Sequence, residues 1–213
     1  MKAFDNKKGR PILLAMVRSI QQNKTHLSDI DGLIGDGDHG INMNKGFSLF
    51  EKEYKDKELS FNEGLEKLGT TLMNKIGGSM GPIYGTLFIG MGEAGSRLTK
   101  ISLADLTAMI EKGYSKLSEI IEARPGDKTL IDTLAPALES LRKSTEKKED
   151  FKTALIKMKA AAKAGSDSTR ELKARYGRAS RLGERSIGVP DAGSVSCRLL
   201  LAAMGDAIVE LLE

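Results

Sequence analysis

The chain has 213 residues, 40% of them hydrophobic and 29% charged, which is typical of one soluble globular domain, here expected over residues 1–213. A net charge of +4 and the absence of tryptophan leave little material for nucleic-acid binding, and the single cysteine, Cys197, excludes an internal disulfide. Since no apolar run reaches the roughly 20 residues that cross a bilayer and residues 1–10 carry no secretory signal, we expect a cytoplasmic protein without nucleic-acid or membrane partners.

Helical periodicity dominates the chain. Between residues 130 and 141, for example, leucines recur every three or four positions, which places them on one face of a helix. Ser60 with Glu63, and Ser102 with Asp105, have the spacing of capping boxes at helix starts. No segment shows the alternation of apolar and polar residues that predicts a strand. The sequence predicts an all-α bundle with helices at residues 9–23, 25–30, 41–54, 61–76, 83–98, 103–122, 128–146, 150–176 and 193–212.

An acidic loop follows the second predicted helix. Asp31, Asp36 and Asp38 place three carboxylates within eight residues, and glycines at positions 35, 37 and 40 allow the backbone to fold tightly. Two such charges about 4 Å apart repel by about 4 kcal/mol at an effective dielectric constant of about 20, which a bound Mg²⁺ would offset. A pair of solvated Asx-turns is the alternative. A calcium EF-hand is excluded, because Gly40 and Phe47 stand where its loop needs oxygen ligands.

A glycine-rich turn occupies residues 77–82. Consecutive glycines before Ser79, at the start of a helix, are typical of a cradle of backbone N–H groups for phosphate, and close packing of two helices is the alternative. The turn also fits the G-x-S-x-G pattern of hydrolases, which we reject because both histidines, His26 and His39, precede Ser79. His39, beside the acidic loop, either contacts a phosphate, supports the metal shell or is structural.

A basic loop precedes the last predicted helix. Arg175, Arg178, Arg181 and Arg185 lie close together in a glycine-rich segment, which favours recognition of phosphate or of an acidic partner. A solvated helix end with weak surface ion pairs is the alternative. The basic loop gains significance because the same chain has an acidic loop of metal-binding type and a glycine-rich turn.

Five sequence blocks follow one another along the chain. They are Asp31-x4-Asp36-x-Asp38-His39-Gly40-x-Asn42-Met43, Gly77-Gly78-Ser79-x-Gly81-Pro82-x-Tyr84-Gly85-Thr86, Pro125-Gly126-Asp127-Lys128-Thr129, Gly177-Arg178-Ala179-Ser180-x-Leu182-Gly183-Glu184-Arg185-Ser186 and Asp191-x-Gly193. Together these blocks resemble the family of ADP-binding L subunits of bacterial phosphotransferase-system dihydroxyacetone kinases. The resemblance extends from about residue 10 to the C-terminal end of the sequence.

The resemblance implies a closed barrel of about eight antiparallel helices, with nucleotide and metals at one rim. It assigns two Mg²⁺ ions to Asp31, Asp36 and Asp38, and it implies catalytic roles for Arg178 and His39, which would also contact the nucleotide. The other contacts to ADP or ATP would come from Gly40, Ile41, Asn42, Ser79, Met80, Asp191, Gly193 and Leu130, the last of which would lie near the adenine.

The resemblance also implies a function. ADP would be a retained cofactor that is recharged to ATP by a phosphohistidine on an M subunit, and a K subunit would hold the dihydroxyacetone that receives the phosphoryl group. A transcriptional regulator is a further expected partner. Two alternatives stay open: a subunit that uses free ATP on another small ketose, and a non-catalytic, nucleotide-bound regulatory module. Departures from the family pattern at Met80, Ile121 and Ala192 bear on nucleotide affinity.

Overall fold

The computed structural model describes residues 2–212, and this part of the chain is predominantly helical, as the sequence predicts. Its nine α-helices are α1 (Arg10–Gln22), α2 (Lys24–Ile34), α3 (His39–Tyr54), α4 (Phe61–Lys75), α5 (Met80–Gly95), α6 (Leu103–Ile120), α7 (Ile131–Glu146), α8 (Phe151–Ser168) and α9 (Ala192–Leu211). The other elements are two 3₁₀ helices, Asn6–Lys8 and Arg178–Ser186, and two short strands, β1 (Ala3–Asp5) and β2 (Lys100–Ser102).

Local capping fixes two of the helix starts. The Ser60 hydroxyl accepts a backbone hydrogen bond at the start of α4 while Glu63 reaches back to the Ser60 amide, and Ser102 with Asp105 repeats this arrangement at α6. Both predicted capping boxes are therefore confirmed. Most other helix boundaries also lie close to the predicted ones, but α2 extends to Ile34, which places the first acidic residue on a helix.

Helix α8 ends at Ser168, eight residues before its predicted end. Beyond that point the backbone tightens into i→i+3 hydrogen bonds as far as Leu172. The ammonium group of Lys128 donates a hydrogen bond to the carbonyl oxygen of Thr169 over 2.5 Å. The carbonyl groups at the helix end are thus satisfied by a distant lysine, which the periodicity of the sequence does not reveal.

Eight of the helices close into a ring. Contacts run from α3 through α4, α5, α6, α7, α8 and α9 to α1, which packs back on α3, while α2 lies against α3 and α9. Neighbours in the ring run in opposite directions, because α3, α5, α7 and α9 begin at one end of the ring and α1, α4 and α6 begin at the other. The predicted all-α fold of antiparallel helices is confirmed.

The two strands form a short ribbon at the end of the barrel where α4 begins and α5 ends. Phe4 is paired with Ile101 across the antiparallel register, and both side chains are buried. The side-chain amide of Asn6 donates to Asn62 Oδ1 over 2.9 Å and to the Leu98 carbonyl over 2.7 Å. The strands were not predicted, because three residues are too few to show an alternating pattern.

Helix α9 contributes a wide apolar face to the core. It is 20 residues long and its most apolar stretch has a mean hydropathy of 1.4, so by length and composition alone it would suffice to cross a membrane. However, 61% of that stretch is buried inside the protein, as in an ordinary core helix. Cys197 lies on this buried face, and burial raises the pKa of its thiol to about 12. Cys197 is therefore a small core residue.

Candidate functional site

A cavity of about 250 Å³ opens at the end of the barrel where α3, α5, α7 and α9 begin. The first turn of a helix carries backbone N–H groups without helical partners and the positive end of the helix dipole. Four such helix starts around one cavity favour an anionic ligand. The structure brings together here ten of the residues singled out in the sequence: Asp31, Asp36, Asp38, His39, Ser79, Met80, Leu130, Arg178, Asp191 and Gly193.

Three carboxylates form one wall of the cavity. Asp31 lies in the last turn of α2, and Asp36 and Asp38 follow in the loop to α3. Each carboxylate offers an oxygen atom within 4.8 Å of the others. Asp31 Oδ2 accepts a hydrogen bond from the His39 backbone amide over 3.3 Å. A side chain at Gly35 would have its Cβ 2.4 Å from Asp31 Oδ1, so glycine is required for the loop to approach.

The electrostatics of this acidic cluster favour a bound cation. Burial raises the pKa of Asp31, and the neighbouring charges of Asp36 and Asp38 raise it further. Burial likewise raises the pKa of Asp38, with Asp36 adding to the shift and Arg178 opposing it. One arginine does not balance three carboxylates. Because the donors are all carboxylate oxygens, the cluster fits a hard divalent cation such as Mg²⁺.

Arg178 is held over the acidic cluster. It follows Gly177, whose φ of 68° is a left-handed conformation that suits glycine, and a Cβ there would meet nothing within 4 Å. The Arg178 guanidinium lies 2.5 Å from Asp36 Oδ2, yet 65% of the Arg178 side chain is exposed. The structure therefore places an exposed cationic side chain at the mouth of the cavity, paired with one of the candidate metal ligands.

His39 is buried and neutral at the start of α3. Only 7% of the residue is exposed, and burial lowers the pKa of its imidazole to about 4. Its Nε2 atom lies 2.9 Å from Ser196 Oγ, and Tyr84 Oη lies 2.7 Å from the same Ser196 Oγ. Neither Tyr84 nor Ser196 was predicted as a functional residue, since they lie far from His39 in the sequence.

Lys128 and Asp191 form a second polar group at the cavity. Lys128 is 2% exposed, has a φ of 62°, and donates to the carbonyl oxygens of Thr169 and Val189 over 2.5 Å each. Asp191 caps α9 by accepting a hydrogen bond from the Ser194 amide over 2.7 Å. Burial raises the pKa of Asp191 to about 7, although the Ser194 amide and Lys128 oppose the shift. Lys128 was quoted in a sequence block without a role, and only the fold shows its position.

The glycine-rich turn leaves its backbone open to the cavity. Gly78 has a φ of 72°, and Cβ atoms added at Gly77 or Gly78 would meet nothing within 4 Å. Ser79 is the residue before α5, and its side chain makes no capping hydrogen bond. Met80 is the first residue of that helix. These open glycines suit a backbone cradle, and close helix packing also applies at the same turn, because a Cβ at Gly81 would lie 2.8 Å from the Leu72 carbonyl oxygen of α4.

Three of the residues singled out in the sequence do not line the cavity within the described part of the chain: Gly40, Ile41 and Asn42. Gly40 instead allows α3 to approach α2, because a Cβ there would lie 2.0 Å from the Lys24 carbonyl oxygen. Ile41 is exposed. Asn42 contacts the carboxylate of Asp38 and so supports the acidic cluster from behind.

The sequence is similar to known phosphotransfer subunits. Residues 33–206 match the DAK2 domain. Over 188 residues the chain is 39% identical to the ADP-binding subunit DhaL of a PEP-dependent dihydroxyacetone kinase from Escherichia coli (strain K12), covering 87% of this chain and 89% of the relative. The corresponding subunit of PEP-dependent dihydroxyacetone kinase 1 from Listeria innocua is 40% identical over 186 residues, covering 87% and 88%.

The fold is similar to part of a solved kinase. The structure of the dihydroxyacetone kinase from C. freundii in complex with AMP-PNP and Mg²⁺ superimposes with a TM-score of 0.72 at 22% identity. The match covers 92% of this chain and 33% of that chain. The helical barrel described above therefore corresponds in fold to about a third of a larger protein.

Proposed function

The chain belongs to the DAK2-domain family, and we propose that it is the ADP-binding subunit of a dihydroxyacetone kinase. In this role it relays a phosphoryl group from a phosphohistidine protein of the phosphotransferase system, through ADP and ATP, to dihydroxyacetone on a partner subunit. The observation that carries the proposal is the convergence of three close carboxylates and four helix starts on one cavity. Phosphoryl transfer demands mainly positioning and positive charge, which such a cavity supplies.

The acidic cluster is the proposed metal site. Asp31, Asp36 and Asp38 would hold two Mg²⁺ ions, which when bound neutralise charge on the phosphates of the nucleotide. The raised pKa of Asp31 and of Asp38 supports this assignment, because such carboxylates gain most from a cation. The similar fold of the C. freundii kinase, solved with AMP-PNP and Mg²⁺, agrees with the choice of metal.

The nucleotide would bind with its phosphates toward the helix starts. Ser79, Met80 and the open glycines before them would offer backbone N–H groups to the phosphates, and His39 would contribute its imidazole. Asp191 and Gly193 would border the nucleotide, and Leu130 would lie near the adenine. At about 250 Å³ the cavity falls below the roughly 300 Å³ at which small-molecule sites begin, so part of the nucleotide would project from its mouth.

Arg178 is the proposed catalytic arginine. Its present partner, Asp36, is also a proposed metal ligand. A metal ion on Asp36 would release the guanidinium, which would then stabilise the charge on the migrating phosphoryl group. No nucleophilic side chain is needed for such a transfer.

The proposed partners follow from the same role. A K subunit would hold dihydroxyacetone, an M subunit would supply the phosphohistidine, and a transcriptional regulator would be a further partner, all in the cytoplasm. The relatives from Escherichia coli and Listeria innocua are described as subunits of PEP-dependent kinases, which supports the existence of partner subunits. Phosphate transfer to ADP from a phosphohistidine protein, without free ATP, would separate this role from that of an ATP-dependent ketose kinase.

Thermal unfolding tests the proposed site directly. The protein is first stripped with EDTA and then given Mg²⁺ and ADP, each alone and both together. Ligand at about 100 times its dissociation constant adds about 2.7 kcal/mol, which for this chain length raises Tm by roughly 5–10 °C. We expect this increase only with both ligands, and none for Asp36→Ala.

Asp29→Ala is the matched control, because Asp29 is an exposed aspartate on α2, the helix that precedes the acidic loop, and lies outside the cavity. It should keep the full increase in Tm. An unchanged ADP affinity in Asp36→Ala would refute the metal-site assignment, and a failure of the wild-type protein to respond to Mg²⁺ and ADP would refute the nucleotide site.

A further inference from the structure

Tyr84, Ser196 and His39 form a buried chain of polar side chains behind the proposed phosphate site. They come from three helices, α5, α9 and α3. Tyr84 Oη lies 2.7 Å from Ser196 Oγ, which lies 2.9 Å from His39 Nε2. All three residues are almost completely buried, at 2%, 0% and 7% exposure. Buried polar groups require partners, so the protons of this chain are arranged by the protein itself.

The distances allow two classes of proton arrangement, which differ in whether His39 Nε2 accepts or donates; Tyr84 Oη also has the Gly193 carbonyl oxygen as an acceptor, 3.1 Å away. In the first, Tyr84 donates to Ser196, Ser196 donates to His39 Nε2, and the imidazole proton resides on Nδ1. In the second, Ser196 donates to the Gly193 carbonyl oxygen, 3.0 Å away, and His39 Nε2–H donates to Ser196. Nδ1 then carries a lone pair instead of a proton.

The group that occupies the cavity selects between the two arrangements. His39 lines the cavity, and among residues 2–212 no hydrogen bond involves its Nδ1 atom. A phosphate oxygen that is deprotonated or metal-bound accepts hydrogen bonds, so it requires a proton on Nδ1. The helix starts around the cavity favour such an anion. The Gly193 carbonyl oxygen does not need a hydrogen bond from Ser196. It lies in α9, where it accepts a hydrogen bond from the backbone amide four residues later.

We propose that Tyr84 and Ser196 are positioning residues that hold His39 in the Nδ1–H form, so that a neutral imidazole donates a hydrogen bond to a phosphate oxygen. The inference rests on the proposed nucleotide site. Neutrality has a physical advantage, since an imidazolium would be repelled by divalent cations on the neighbouring carboxylates.

Nuclear magnetic resonance of the imidazole nitrogens tests this inference on the full chain. The chain has two histidines, and the exposed His26 on α2 serves as an internal reference. With Mg²⁺ and ADP bound to the wild-type protein, we expect His39 Nδ1 to be protonated and Nε2 to be bare. In Ser196→Ala we expect a shift toward Nε2–H, the form that a solvated neutral histidine side chain prefers, and about tenfold weaker ADP binding, which corresponds to about 1.4 kcal/mol.

Tyr84→Phe should shift the tautomer in the same direction and by less, because Ser196 keeps its hydroxyl. Ser144→Ala is the matched control, since it removes a buried hydroxyl whose partner is Glu149, away from the cavity. It should leave both the tautomer and the ADP affinity as in the wild-type protein. Circular dichroism establishes that each variant is folded, and if Ser196→Ala does not fold, Tyr84→Phe decides the question by the same criteria.

Three results overturn the inference. An Nε2–H tautomer in the wild-type complex with normal ADP binding defeats it and leaves the proposed function intact. A folded Ser196→Ala variant that keeps both the Nδ1–H tautomer and wild-type ADP affinity also defeats the inference and leaves the proposed function intact. If Ser196→Ala does not fold, the same result for Tyr84→Phe has the same meaning. A wild-type protein that binds no ADP in the presence of Mg²⁺ defeats the nucleotide site and this inference together.

Discussion

At the scale of single residues, the carboxylate of Asp191 both caps a helix and has a shifted pKa. Its carboxylate caps α9 through the Ser194 amide and faces Lys128, while the charges of Asp132 and Asp31 act on it from the same region. Burial raises its pKa to about 7 from the ordinary value of 3.8. A carboxyl group with a raised pKa in the folded state binds more protons there than in the unfolded chain. Stability from this group is therefore lost as pH rises.

We predict a specific pH dependence for the metal-free protein. The stability of the wild-type protein relative to Asp191→Asn should fall as pH rises from about 4 to about 7 and level off above that. Asparagine does not titrate and still caps the helix, which makes it a suitable comparison. Urea unfolding in EDTA measures the difference. Parallel pH curves for the two proteins would show that Asp191 does not titrate in this range.

Arg178 is paired with Asp36, a proposed metal ligand, and is also the proposed catalytic arginine. In Arg178→Ala, the affinity for Mg²⁺ without nucleotide should rise up to about fivefold, because an exposed competing ion pair worth at most about 1 kcal/mol is removed. Phosphoryl transfer should fall by roughly 10³ or more while ADP binding persists. Isothermal titration and a coupled transfer assay measure both.

Arg181→Ala is the control for this prediction, since Arg181 is an exposed arginine of the same 3₁₀ segment and does not line the cavity. It should match the wild-type protein in both measurements. Wild-type turnover in Arg178→Ala would rule out a catalytic arginine at this position.

Residue-level prediction from the sequence worked where the signal is local. The acidic loop was recognisable because three aspartates and three glycines lie within a few positions of one another. Lys128, Tyr84 and Ser196 were missed because their hydrogen bonds join residues between 41 and 157 positions apart. Such contacts depend on the packing of whole helices, which no single-chain pattern encodes.

At the scale of elements, the junction of α2 and α3 holds the acidic cluster in shape. Asp31 lies in the last turn of the first helix and His39 begins the second, so the distance between these helices sets the geometry of the site. Gly40 makes the close approach possible, because a Cβ there would collide with the Lys24 carbonyl and the Ser28 amide. Gly40, for which the family resemblance implies a contact with the nucleotide, thus also has a role in helix packing.

We predict that Gly40→Ala separates the two helices. The clash should destabilise the protein by about 1–3 kcal/mol and weaken Mg²⁺ binding, since the carboxylates move apart. Gly32→Ala is the control, because Gly32 lies on α2 and its Cβ would make only an ordinary contact of 3.8 Å, with the Gly37 Cα atom. Alanine there should stabilise the helix by up to about 1 kcal/mol. Urea unfolding and Mg²⁺ titration of both variants provide the test, and equal behaviour would contradict the packing role.

At the scale of the whole molecule, the two ends of the barrel have separate roles. The cavity lies where α5 begins, and the Asn6–Asn62 hydrogen bonds lie where it ends. A helix of 16 residues is about 24 Å long, so the two ends are well separated. The helices themselves were foreseeable from periodicity and capping, and the family resemblance implied that they close into a barrel. The strand ribbon was not, because it forms only when distant segments meet.

We predict that Asn6→Ala lowers stability without changing the site. Loss of these hydrogen bonds leaves the buried backbone amide of Asn62 without its acceptor, Asn6 Oδ1, although the Ser60 hydroxyl still donates to Asn62 Oδ1. The change should cost about 1–3 kcal/mol, while the Mg²⁺-dependent affinity for ADP stays the same. Asn74→Ala is the control, because Asn74 is exposed on α4, and it should be nearly neutral. Thermal unfolding and ADP titration separate the two quantities. A change in ADP affinity in Asn6→Ala would mean that the ends are coupled.

Closure of the ring has a consequence for synthesis on the ribosome. Helices α1 and α9 pack side by side, and Ser19 Oγ donates to the Leu199 carbonyl oxygen across a sequence separation of 180 residues. At about 5–20 residues per second, roughly 10–35 s pass between the translation of these two positions. During that interval α1 exposes its apolar face, and the wall that carries Asp191, Gly193 and Ser196 does not yet exist. Until its ninth helix emerges, the nascent chain is therefore prone to aggregation and lacks part of the proposed nucleotide site.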